Sequence, residues 1–137
     1  MQATVNYSKV PAVTLGFWVL KILATTLGET GGDTVSMTLG LGYLVGSAIF
    51  LGLLVVLVVA QVTARRFHPL LYWATIIAST TAGTTLADFA DRSLGIGYPG
   101  GTLLLLGCVL ATLGAWRATQ GSVAVGSVCT PRVEAFY

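Results

Sequence analysis

The sequence predicts an all-α integral membrane protein whose four transmembrane helices form two parallel two-helix repeats. Three observations lead to this fold class. Of the 137 residues, 55% are hydrophobic and only 9% are charged, whereas soluble domains carry about 25% charged residues. The apolar residues fall into four long segments, and one half of the chain matches the other. So few charges cannot cover a soluble surface, so most of the chain is expected to face lipid.

The internal repeat sets the unit of architecture. Thr25 to Gly46 aligns with Thr80 to Gly101 without a gap, and the pair Phe17-Trp18 aligns with Tyr72-Trp73. The identical pairs are Thr25 and Thr80, Thr26 and Thr81, Gly28 and Gly83, Asp33 and Asp88, Leu39 and Leu94, Gly40 and Gly95, Gly42 and Gly97, Tyr43 and Tyr98, and Gly46 and Gly101.

The repeat also divides the chain into domains. We predict a first two-helix repeat at residues 1–69, a second at residues 70–124, and a polar tail at residues 125–137. The tail contains TPRVEAFY, in which a proline precedes an aromatic pair, as it does before Phe17 and before Tyr72. The tail therefore resembles the start of a third repeat.

Four apolar segments have about the length that a bilayer requires. The first runs from Pro11, which suits a first helical turn because it lacks an N–H group, to about Gly31. The others run from Tyr43 to Val62, from Pro69 to about Ala87 and from Gly101 to Trp116. The glycine-containing stretches 34–42 and 94–101 are predicted bends. The spans are expected to be helices because lipid cannot hydrogen-bond to the backbone and the alternation of a barrel strand is missing.

Charge orients the predicted bundle. All but one of the basic residues at its ends fall on the same side: Lys9, Arg65, Arg66, Arg117 and Arg132, against Arg92 on the other. The positive-inside rule then places both termini and the loop at Arg65 in the cytoplasm. Trp18, Trp73 and Trp116 are expected at the inner interface. Two spans per unit make the repeats enter in the same direction, as in some transporters.

The candidate site is a polar stripe on the first and third helices. Steps of four residues place Thr25, Glu29 and Asp33 along one side of the first helix, with Lys21 one turn earlier. The matching positions of the third helix are Ile76, Thr80, Thr84 and Asp88. If the two helices face each other, carboxylates and hydroxyls converge, which suits protons or a hard cation such as Ca²⁺, Mg²⁺ or Mn²⁺. The predicted site residues are Thr25, Glu29, Asp33, Thr80 and Asp88.

Two alternatives stay open for these charges. The acidic residues could instead lie in the outer headgroup layer as solvated loop charges, and this is the interpretation we favour for Asp91, which is next to Arg92. Lys21 could neutralise Glu29, or it could extend to the inner surface near Trp18.

Several function classes are excluded by what the sequence lacks. The sequence contains no nucleophile–base pair, no CxxC or HExxH motif and no phosphate-binding loop. We therefore expect neither enzymatic activity nor an organic cofactor. The bound group that we consider is a divalent cation. The net charge of +2 is dispersed, so no nucleic-acid partner is expected. The expected partners are the lipid bilayer and either a second copy, another membrane protein or the missing second half of a longer chain.

Long segments of the chain resemble a known family. The segments are KILATTLGETGGDTVSMTLGLGYLVG, RRFHPLLYW, TTAGTTLADFADRSLGIGY and TPRVEAFY. They resemble a bacterial family of uncharacterised multispanning membrane-anchored proteins with GD-containing internal repeats, of which this chain looks like the N-terminal half. The resemblance implies a longer protein of the bacterial inner membrane with further units. It brings no established activity with it.

Two functions follow as expectations. The repeat and the Thr/Glu/Asp stripe favour a transporter-like membrane protein for a cation or protons. The alternative is a non-catalytic membrane subunit or scaffold that docks onto other membrane helices through its glycine-lined faces.

Overall fold

The structure is a computed structural model that describes residues 9–137. All regular secondary structure in that range is helical, so the predicted all-α fold is confirmed. The main helices are α1 (Leu15–Asp33), α2 (Gly42–Thr63), α3 (Pro69–Asp88), α4 (Gly97–Gln120) and α5 (Pro131–Phe136). Two π-helical segments, Thr34–Thr38 and Phe89–Ser93, directly follow α1 and α3, and a 3-10 turn covers Val125–Ser127.

Two of the described helices, α2 and α4, are long and apolar enough to cross a membrane by length and composition. Only 11% of the residues in the most apolar stretch of each are buried inside the protein, so neither resembles the core helix of a soluble domain. These two helices suggest association with a membrane. The crossing of a membrane by all four helices stays a prediction.

The ends of the helices follow local capping chemistry. The sequence placed the start of the first helix at Pro11, but α1 begins at Leu15, because Thr14 caps it: the Phe17 N–H donates to Thr14 Oγ1 at 3.3 Å. The start of α3 at Pro69 is as predicted. The last turn of α4 is closed by Gly121, whose positive φ of 74° favours glycine.

Both predicted bends are present and have the same construction, but the second lies at residues 89–96 and not at 94–101, because α4 already begins at Gly97. In each, a wider helical turn is closed by a bond over five residues: Leu39 N–H to Thr34 O at 2.9 Å, and Leu94 N–H to Phe89 O at 3.0 Å. Two glycines with positive φ then reverse the chain. They are Gly40 and Gly42 in the first bend and Gly95 and Gly97 in the second, with φ between 67° and 78°. The repeat seen in the sequence is therefore also a repeat of backbone conformation.

The helix α3 lies at the centre of the bundle, packed against α1 on one side and α2 on another. The helices α1 and α3 run parallel, since Gly28 faces Ile77 while Gly32, one turn later, faces Thr85. The main contacts of α4 are made near its ends, with the second π-helical segment and with α5. The middle of α4 is consequently the least covered part of the bundle.

The predicted polar tail packs against the bundle. Trp116, Val128 and Val133 form a small buried core, to which Val10 and Phe136 add. Trp116 is only 5% exposed, so it lies inside this core, whereas an interfacial tryptophan would face outward. This core fixes the start of α1, the end of α4 and α5 at one end of the bundle, which we call the α5 end. The opposite end, which carries both π-helical segments, is the π end.

Candidate functional site at the π end

Small residues set the geometry of the predicted site. On α1 the buried residues are Ala24, Gly28 and Gly32, one per turn. A Cβ atom added to Gly28 would lie 3.0 Å from both the Ile77 carbonyl oxygen and Thr81 Oγ1. The backbones of α1 and α3 therefore approach closely, as glycine allows in membrane helices. This contact brings the ends of the two helices to the same level.

The predicted polar stripe lies beside this contact, one residue further along α1. Glu29 is exposed, and Thr25 and Thr80 are half-buried. Each threonine hydroxyl donates within its own helix, Thr25 to the Lys21 carbonyl at 2.5 Å and Thr80 to the Ile76 carbonyl at 2.9 Å. The small residues Ala24, Gly28 and Gly32 form the interface with α3 because they permit a shorter distance between the two helix axes. The polar stripe therefore lies at the side of this interface.

Asp33 and Asp88 are the two predicted site residues that the structure brings within electrostatic range. Both are half-buried, and each is the last residue of its helix before a π-helical turn. The Asp88 carboxylate is repelled by Asp33 and Asp91, and its Oδ1 pairs with Arg92 Nε at 3.3 Å. Asp33, Asp88 and Arg92 together form the polar centre of the π end.

Arg92 links the two repeats at this end. Its Nη1 donates to the Tyr43 hydroxyl at 2.8 Å, and its guanidinium carbon lies 5.6 Å from the centroid of the Tyr43 ring. The negative charge of Asp88, then Tyr43 and Tyr98, raise the pKa of Arg92 above its usual value. Since Tyr43 and Tyr98 are repeat equivalents, one arginine interacts with the same residue of both units.

One pair of buried polar groups was not predicted from the sequence. The Ser36 side chain lies against Gly46 in the first unit, and the Asp91 carboxylate lies against Gly101 in the second. The Ser36 hydroxyl and Asp91 Oδ1 are both buried without a hydrogen-bond partner among residues 9–137. The expectation that Asp91 is a loop charge beside Arg92 is wrong, because Arg92 pairs with Asp88 and Asp91 turns toward α4. The available signal was the repeat alignment, which puts Ser36 opposite Asp91 and Gly46 opposite Gly101.

Other predicted roles are less well supported by the geometry. In the described part of the chain, no group of three or more His, Cys, Asp or Glu side chains is placed so that it could hold a metal ion. Lys21 takes part in neither of the two ion pairs found within residues 9–137, so it does not neutralise Glu29 there. A site at Thr25, Glu29, Asp33, Thr80 and Asp88 stays a prediction.

The chain matches one known protein family. The family described as Repeat of Unknown Function (DUF347) matches residues 16–67 and again residues 71–122. The chain belongs to the DUF347 repeat family. The predicted internal repeat is thereby confirmed, and each DUF347 copy contains one helix pair joined by one π-helical segment. No curated protein and no solved structure matches the chain.

Proposed function

We propose that this DUF347 protein is transporter-like and moves protons or a small cation across the bacterial inner membrane. Asp33 and Asp88 are the groups that bind the transported ion. One observation carries the proposal: repeat-equivalent carboxylates end two parallel, closely packed helices and interact electrostatically. Glu29, Thr25 and Thr80, on the flank of the same contact, supply further oxygen atoms along the route.

The chemistry of a carboxylate pair suits this role. Two carboxylates close together resist carrying two negative charges, so the pair takes up a proton or a cation and releases it again. Charged residues in membrane helices are costly and are concentrated on ion pathways. The π-helical turns that follow Asp33 and Asp88 are also typical of functional sites, since such turns interrupt an otherwise regular helix.

The membrane location is supported by the surface of the helices. Large apolar side chains are exposed along α1, α2 and α4, among them Leu23, Val56 and Leu106, which are 61%, 65% and 51% exposed. A soluble monomer rarely exposes such a continuous apolar surface. The basic residues at the α5 end give the orientation that we propose, with both termini in the cytoplasm.

Ion flux in proteoliposomes tests the transport proposal. The Asp33→Asn and Asp88→Asn double variant is expected to lose proton or cation flux driven by an imposed gradient, while it still inserts and folds. Arg65→Gln, an exposed charge change in the loop between the repeats, serves as the control and is expected to keep the wild-type flux. Equal flux in the wild type and the double variant would refute the proposal.

A second function is favoured by a separate observation on α4. A Cβ atom added to Gly107 or Gly114 would meet no atom within 4 Å, so both glycines leave an open groove for another helix. This supports the alternative of a non-catalytic subunit that docks onto membrane helices. Wild-type protein that carries no ion under any gradient, yet is recovered in a stable complex through α4, would favour the scaffold.

A further inference from the structure

A cavity of about 280 Å³ lies at the α5 end, on the opposite side of the bundle from the proposed ion site. It opens between α2, α3 and α5. Its walls are largely apolar and include Leu54 and Val58 from α2, Ile76 from α3, and Phe136 from α5. Its size is near the lower limit of small-molecule sites, which measure about 300–1,000 Å³.

One end of the cavity is polar and its charges are balanced. Lys9 Nζ and Glu134 Oε2 form an ion pair at 2.9 Å, with side chains that are 14% and 6% exposed. Lys9 Nζ also donates to the carbonyl oxygens of Gln61 and Val62, at 3.2 and 3.3 Å. The amide nitrogen of Gln61 donates to the second Glu134 oxygen at 3.3 Å. The ammonium group and the carboxylate thus satisfy each other and leave no net charge.

One acceptor in this cluster lacks a partner. Gln61 is 8% exposed and lines the cavity. Its Oε1 atom is buried and accepts no hydrogen bond from any residue in the range 9–137. Burying an amide oxygen without a donor is unfavourable. Because the atom is enclosed, a ligand donor reaches it, and gains this free energy, when the Gln61 side chain turns its Oε1 atom into the cavity.

The same cavity also offers a donor. The hydroxyl oxygens of Tyr72 and Tyr137, which both line it, are 2.9 Å apart. Because only one of the two protons is used between them, the other is left for a further acceptor. A hydroxyl group, which donates and accepts, matches this pair of requirements better than a group that does only one.

We infer that the cavity binds an uncharged amphipathic alcohol, with its hydroxyl donating to Gln61 Oε1 and its hydrocarbon chain between α2 and α3. The balanced charge of Lys9 and Glu134 disfavours an additional ion, because a third buried charge would have no counterion. The inference is independent of the proposed transport function, since none of the π-end residues contributes to the cavity.

Photolabelling of the full chain in nanodiscs tests the inference, with a diazirine analogue of decanol as the probe. The label is expected on cavity-lining residues such as Val58 and Ile76. Decanol should compete about tenfold better than nonyl methyl ether, which has a similar size but no donor. That ratio corresponds to one hydrogen bond to a buried acceptor. Decylamine should compete less well than decanol.

Two variants sharpen the test. Gln61→Leu is expected to bring the decanol and ether competition to about the same level, and Val58→Trp to remove the label by filling the cavity. Leu106→Trp, the same kind of change on the exposed face of α4, is the control and should keep the label. Labelling outside the cavity, equal competition by ether and alcohol in the wild type, or better competition by the amine would each overturn the inference. The ether comparison needs no variant, so it holds even if Gln61→Leu fails to fold.

Discussion

At the residue scale, the two repeats use the same position for different chemistry. Ser36 and Asp91 occupy equivalent places in their π-helical segments, and each lies against a glycine in the helix that follows. A hydroxyl in one unit and a carboxylate in the other make the pseudo-symmetric site electrostatically asymmetric. At this position only the second unit carries a charge, Asp91, close to Asp88 and Arg92.

The close approach of Asp91 to Gly101 leads to a stability prediction. A Cβ atom at Gly101 would overlap the Asp91 carboxylate. Because the carboxylate ends a side chain that can rotate away, Gly101→Ala is expected to destabilise the fold by about 1 kcal/mol, the low end of the cost of overpacking. Gly52→Ala, in α2 with no atom within 4 Å of the added Cβ, is the control. It should be neutral or stabilising by up to about 1 kcal/mol through helix propensity. Unfolding in denaturing detergent measures both, and equal stability of the two variants would contradict the packing.

The ion pair at the α5 end supports a second prediction. Glu134→Leu leaves the Lys9 ammonium without its carboxylate, and we expect a loss of about 2–3 kcal/mol, near the lower limit for breaking a buried pair, since Lys9 keeps two backbone carbonyls. The double variant Lys9→Met, Glu134→Leu should lose less than the single one. The same detergent unfolding assay measures the cycle, with the exposed Arg132→Leu as control. A double variant that is less stable than Glu134→Leu would refute the pairing.

Some of the polar residues discussed above could be predicted from the sequence and others could not, for a physical reason. Asp33 and Asp88 were predicted as site residues because a repeated carboxylate beside an apolar segment is chemically unusual. Glu134 and Gln61 were not, because they meet across 73 positions of chain, and no local pattern encodes such a contact. Glu29 has the predicted spacing on α1, but it is exposed because Gly28 and Gly32, and not Glu29, face α3.

At the element scale, the contact between α1 and α3 depends on glycines at one helical spacing. Gly28 and Gly32 meet Ile77, Thr81 and Thr85, whereas Gly31, on another side of α1, meets nothing within 4 Å. Two neighbouring glycines in one helix therefore differ only in whether they face α3.

This difference can be measured directly. Gly28→Ala is expected to destabilise the bundle by about 1–3 kcal/mol, because the Ile77 carbonyl oxygen is backbone and cannot rotate away from the new methyl group. Gly31→Ala is expected to have little effect or to stabilise α1 slightly. Thermal unfolding in detergent provides the comparison. A larger loss for Gly31→Ala than for Gly28→Ala would mean that the two helices pack through another face.

Hydropathy and proline predicted the existence and approximate bounds of α1 to α4, because those signals are local. The π-helical turns were predicted only as bends, since glycines indicate a turn but do not specify a hydrogen bond to the carbonyl five residues back. The packing of α5 was also missed. Its burial comes from Trp116 and Val10, which are distant in sequence, and its own composition looks polar.

At the scale of the whole molecule, the arrangement of charge makes a topological prediction. In a chain whose native Cys108 and Cys129 are replaced by serine, Arg66→Cys should react with a membrane-impermeant thiol reagent only from the cytoplasm, and Ser93→Cys only from outside. The reason is that basic residues cluster at the α5 end, and such clusters stay on the cytoplasmic side. Labelling of intact cells and inverted vesicles gives the two arms. Reaction of both positions from the same side would overturn the four-span arrangement.

The last prediction concerns assembly, and it rests on the position of α4. The centre of the bundle is α3, which has α1 and α2 against it, while the main contacts of α4 are near its ends. Its middle exposes Leu106 and Leu110, at 51% and 59%. Close packing of a second helix against the open glycines would bury this surface.

We therefore expect the protein to associate with a second copy or another membrane helix through α4, and native mass measurement in mild detergent to detect a species larger than the monomer. Gly107→Leu with Gly114→Leu should remove that species, because the side chains would fill the groove that a partner helix needs. Thr112→Leu, which enlarges a different side of α4, should leave it intact. A wild-type protein that remains strictly monomeric in detergent and in bilayers would show that lipid alone covers α4.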